Sequence, residues 1–207
     1  MFHRYIATAS PRCAFRRGSV ATKPLALVVF ALLSALLAIP LANATTFNTT
    51  DIQRHEHWQS MTLTLGEETH WRAVEAHSYS DSHFSVNLTP GACDLPWLEM
   101  RVDLGEHQPD SEVVNRVPAD LRVDHETIHN GEAEFITQRG DSGFYVQFHL
   151  PEQPLSIEEM RHGETLRLRL MRSEDDPWFM VFSLAGADEA LARIERQCQA
   201  AEVPDSR

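Results

Sequence analysis

His125-Glu126-Thr127-Ile128-His129 matches the spacing H-E-x-x-H. On a helix that spacing sets two imidazoles on one face to hold zinc and places the glutamate beside the metal-bound water, the chemistry of a zinc hydrolase. The flanking residues point to another setting. Val123-Asp124 comes before, Asn130-Gly131 follows at once, and no helical apolar stripe surrounds the segment. Asn-Gly between alternating segments is a hairpin signal, so the spacing predicts strands over 121–129 and 132–138 joined at Asn130-Gly131. On a strand, His125 and His129 share a face while Glu126 points away. A divalent-metal site at His125 and His129, with zinc as the candidate ion, is therefore an alternative to a chance match on a strand. A zinc-dependent envelope hydrolase is the remoter alternative.

Ten histidines follow residue 44, at 55, 57, 70, 77, 83, 107, 125, 129, 149 and 162. His55-Glu56-His57 could complete a metal site together with another histidine, although scattered surface histidines usually carry no function. Other chemistry finds less support. Ser142 lies in Gly140-Asp141-Ser142-Gly143, which a turn between strands explains, and there is no G-x-S-x-G elbow. No glycine-rich phosphate loop is present, and the cysteines are not spaced C-x-x-C. No catalytic set and no cofactor-binding set emerges.

The first 44 residues read as an address. Arg4, Arg12, Arg16, Arg17 and Lys23 form a basic leader, an apolar run spans Leu25 to Ile39, and Ala42-Asn43-Ala44 is a small-x-small cleavage site. Those are the three parts of a secretory signal, with cleavage expected after Ala44. The apolar run is too short to favour a stable membrane span. The leader takes the chain's single lysine with it and leaves 13 basic against 30 acidic side chains, a formal charge of −17. Such a field opposes binding to nucleic acid or to anionic lipid. It suits either a saline habitat, where charge repulsion is screened within about 3 Å at 1 M salt, or a genome-wide bias in composition. Cys13 leaves with the leader, and Cys93 and Cys198 remain, an even pair in an exported chain, so a disulfide between them is expected.

The elements that must position these groups are mostly strands. Two-residue alternation marks 98–104, 145–150 and 166–170, with weaker candidates at 61–65, 70–78 and 83–88. Residues 179–184 are apolar on both faces at first, as in a central strand. Leu191, Ile194 and Cys198 fall on one stripe of a helix. Residues 45–60 read as a polar lead-in, 61–200 as a single β-rich domain with a C-terminal helix, and 201–207 as a frayed tail. The expected fold is mainly β, an antiparallel β-sandwich or small barrel closed by one C-terminal α-helix.

Leu121-Arg122-Val123-Asp124, then Met160-Arg161-His162-Gly163-Glu164-Thr165-Leu166-Arg167-Leu168-Arg169, then Phe182-Ser183-Leu184-Ala185-Gly186-Ala187 and a helix to Cys198 form an ordered series. Over roughly 121–198 this series resembles the invasion-associated locus B family of exported bacterial proteins. The resemblance implies a small periplasmic β-rich domain with a closing Ser-Leu-x-Gly segment, a helix and a cysteine. It transfers no catalytic residue. Together these readings describe an exported, soluble, non-enzymatic binding or accessory protein, periplasmic or secreted. Its expected partner is an envelope protein or a small ligand.

Overall fold

A computed structural model describes residues 47–202. The leader, its cleavage after Ala44 and the last five residues lie outside the described residues. Ten strands run in the order β1 (Asn48–His55), β2 (Trp58–Leu65), β3 (Glu68–Glu75), β4 (Ser82–Leu88), β5 (Trp97–Asp103), β6 (Glu112–Val123), β7 (His129–Thr137), β8 (Gly143–His149), β9 (Thr165–Ser173) and β10 (Asp176–Ser183). Helix α1 (Gln153–His162) lies between β8 and β9, and α2 (Ala187–Glu202) follows β10. All ten strands join one antiparallel sheet in the order β1-β2-β3-β4-β5-β8-β7-β6-β9-β10. The sheet is folded over on itself as a sandwich and does not close into a barrel.

Alternation decides which face is inside. Trp71 and Ala73 of β3, Phe84, Val86 and Leu88 of β4, Leu98 and Met100 of β5, and Leu166, Leu168 and Leu170 of β9 are all buried in one core. The two arms of the sheet meet there, where Phe84 touches both Trp58 and Phe182. Trp58 also donates its indole N–H to the Ser183 carbonyl, 2.9 Å away on β10. Helix α2 buries Ala190, Leu191, Ile194 and Cys198 against this core. Cys198 is bonded to Cys93 of the β4–β5 connection, with their Cα atoms 5.8 Å apart.

Several boundaries differ from the sequence reading. Residues 45–60 are no loose lead-in, because β1 and the start of β2 occupy them. Strand β1 exposes nearly every side chain, so it has no apolar alternation to read. Its ladder to β2 holds it, and Asp51 on β1 pairs with Arg193 of α2 at 2.6 Å. Asn130-Gly131 is not a turn. Both residues sit inside β7, opposite Asp120 and Ala119. Gly131 is needed there because a Cβ would collide with the His149 carbonyl of β8. The chain reverses earlier, at a turn in which the Glu126 N–H donates to the Val123 carbonyl over 2.8 Å.

Strand β10 is an edge strand and not a central one, with Phe179 and Val181 exposed. Its free edge is covered by side chains of the β3–β4 loop. The Val181 N–H donates to the Tyr79 hydroxyl at 2.9 Å and the Ser183 N–H to Ser78 Oγ at 3.2 Å. Such cover blocks strand addition from another chain. The fold has two helices among the described residues where one was expected. The C-terminal helix also continues through Ala201 and Glu202, the first residues of the expected tail.

Candidate functional site

The two histidines of the H-E-x-x-H segment have different surroundings. His125 is exposed in the β6–β7 turn, and Arg122 fastens that turn by donating to the carbonyls of His125 and Glu126, each at 3.0 Å. His129 is the first residue of β7 and is almost fully buried. Its Nε2 lies 2.8 Å from Glu159 Oε2 on α1, while its Nδ1 lies 3.8 Å from Glu152 and has no hydrogen-bond partner. The shared strand face expected for the pair does not exist, because a turn separates the two residues. Asp124 closes the turn from behind. With φ of 42° it accepts the N–H groups of Glu164 (2.8 Å) and Thr165 (3.0 Å). A Cβ on Gly163 would strike Val123. These contacts join the Leu121–Asp124 and Met160–Arg169 segments.

His55 also departs from the expected grouping. Its Nε2 bonds Ser60 Oγ at 2.8 Å. Its neighbour His57 turns the other way, toward Glu75 at the end of β3, where Nδ1 and Oε1 are 3.6 Å apart. His77 of the β3–β4 loop stands beside His57 with ring centroids 5.4 Å apart. Glu75 is completely buried and accepts the backbone N–H groups of His77 (3.1 Å) and Ser78 (3.0 Å) on Oε1. Sequence reasoning named both histidines but did not group them, and it missed Glu75. The register Trp58↔Glu75, which brings them together, is a tertiary fact with no local signature. Among the described residues, three donor atoms already within 4.8 Å of one another occur at Cys93, Cys198 and Glu202, and there the sulfurs are bonded to each other.

The outward face of the central strands carries a polar array. Arg72 donates to Asn87 Oδ1 (2.5 Å) and to Glu99 Oε1 (2.9 Å). Arg101 and Tyr145 both donate to Asp141, each over 2.6 Å. Burial pushes Glu99 above the usual carboxylate range, with Arg72 and Arg101 pulling back. Burial, then the charges of Arg72 and Arg101, bring His83 down to about 4. Burial opposes ionisation of Asp141, but hydrogen bonds from Tyr145, Arg101 and the Gly143 N–H outweigh it and hold the carboxyl low. Tyr145 is pushed up to about 12 by its own burial and by Asp141. These groups satisfy one another, which suits a structural role.

A cleft of about 330 Å³ opens at the end of the sandwich between the 104–112 loop and β6, β7 and β8. Phe135 and Phe144 stack within it, 5.4 Å apart, and Phe144 also contacts Trp178. Leu104 and Val114 are exposed at its walls, and Asp110 and Glu112 supply acidic groups. Val114 owes its position to the irregular register of β6 between Val113 and Asn115.

No family model matches the chain, and no curated protein matches it in sequence. The architecture is nevertheless that of a small, mainly β protein closed by a disulfide-linked C-terminal helix. It is similar to the crystal structure of invasion associated protein B from Bartonella henselae, with a TM-score of 0.52 and 14% identity, over 73% of this chain and 99% of that one. The similarity establishes the fold, as the sequence resemblance implied. Among the described residues no helix is long and apolar enough to cross a membrane.

Proposed function

We propose that the chain is an exported, non-enzymatic binding or accessory protein that holds a small apolar ligand in the cleft at the end of its sandwich. The observation that carries this reading is the stacked Phe135–Phe144 pair beneath an open mouth. A volume of about 330 Å³ lies within the usual range for ligand sites, and such sites combine apolar walls with a few polar groups. Asp110 and Glu112 at the cleft favour a neutral or cationic ligand over an anionic one. The leader-like N-terminus, the disulfide and the similarity to invasion associated protein B support an exported location.

The test uses a neutral fluorescent probe, N-phenyl-1-naphthylamine. The expected result is saturable binding of one equivalent, abolished by Val114→Trp. Val114 is 58% exposed, so this change fills the mouth without disturbing the core. Wild-type protein without saturable binding, or a Val114→Trp variant that binds as well as wild type, rules the reading out.

A further inference from the structure

We propose that His57, Glu75 and His77 form a site for a divalent transition-metal ion of the zinc type, independent of the cleft. Three elements converge there. His57 ends the β1–β2 turn, Glu75 ends β3, and His77 opens the β3–β4 loop. The His57–Glu75 pair has the spacing of a shared ion, and His77 stands beside it without its ring nitrogen yet lying within 4.8 Å of both donors. Donors about 2.0–2.1 Å from tetrahedral zinc lie about 3.3 Å from one another, and two imidazoles on that ion have centroids about 5 Å apart. The His57–Glu75 donors are 3.6 Å apart and the ring centroids are 5.4 Å apart. Both rings are exposed and free to turn, and binding requires the His77 ring to rotate toward the His57–Glu75 pair.

Charge argues the same way. A buried carboxylate is costly unless paired and hydrogen-bonded. Glu75 has its hydrogen bonds from the His77 and Ser78 N–H groups, but no arginine reaches it among the described residues. Its one ion-pair partner there is the imidazole of His57. A bound cation neutralises that charge, and the two backbone donors hold the carboxylate in the orientation a ligand needs.

The scaffold is rigid. The His57 N–H donates to the Ala185 carbonyl at 3.1 Å. Gly186, with φ of 87°, lets the His55 carbonyl press where a Cβ would stand. The loop carrying His77 is tied to β10 through Ser78 and Tyr79.

Calorimetric titration of the disulfide-intact protein with zinc chloride at pH 7.5 tests the proposal. One equivalent is expected to bind. His57→Ala and His77→Ala should each weaken it at least tenfold, with unchanged circular dichroism, and His125→Ala should leave it unaltered. Affinity should also fall at least tenfold at pH 5.5, because imidazole binds metal only when neutral. No binding, binding indifferent to His57 and His77, or binding lost in His125→Ala instead, each overturns the site.

Discussion

His83 faces Arg72 and Arg101 from a neighbouring strand, and that setting fixes its charge. The folded-state value of about 4 lies below the ordinary 6.5, so the unfolded chain takes up the proton first. The stability this contributes is complete above about pH 6.5 and is lost as pH falls toward 4, up to about 3 kcal/mol in all. Glu99 acts in the opposite sense. Its raised value favours the folded state at low pH and withdraws that support as pH rises. We therefore expect the urea midpoint to drop steeply between pH 6.5 and 4.5 in the wild type and to flatten in His83→Gln; parallel curves would exclude this role. Residue chemistry was only partly legible in the sequence. The disulfide pair could be read because arithmetic left one pairing. His129 could be named, but not its burial against Glu159, and Glu75 gave no sign of its place beside two histidines. Those meetings depend on register and helix docking, which composition and spacing do not encode.

At the scale of elements, alternation located β5, β8 and β9 well because each alternates apolar residues facing the core with polar residues on the other face. It failed for β1, whose side chains are exposed, and for α1. In α1 only Ser156, Ile157 and Met160 are buried, too short a stripe to register, although Pro154 in its first turn marks the start. Asn130-Gly131 misled for a physical reason: the same glycine that suits a tight turn also suits close strand approach. Helix α2 was legible from its stripe, and it owes its hold on the sheet to that stripe and to the disulfide. The chain-entropy account for a bridge spanning 105 residues gives about 4–5 kcal/mol as an upper value. Cys93→Ser/Cys198→Ser should lower the urea-derived unfolding free energy by about 2–5 kcal/mol. Amide exchange in α2 should rise more than in β5. A loss spread evenly over both elements would show that the bridge does not pin the helix in particular.

The described residues form one long sheet bent over a single core, and the chain after residue 44 is heavily acidic. With 13 basic against 30 acidic side chains after residue 44, repulsion works against the compact state at low ionic strength. Melting temperature should rise between 0.05 and 1 M sodium chloride, and a maximum at low salt would contradict this reading. The mainly β class was legible from the sequence, but the single sheet was not, since strand order follows from long-range pairing such as β5 beside β8. The separation of the two cysteines has a consequence in time. A chain made from its N-terminus at about 5–20 residues per second carries Cys93 as a free thiol while 105 further residues, and with them six strands, emerge. The bridge cannot close until Cys198 has been made. Its formation tests whether the chain is whole, because a product truncated before α2 keeps a reactive thiol that can be captured as a mixed disulfide.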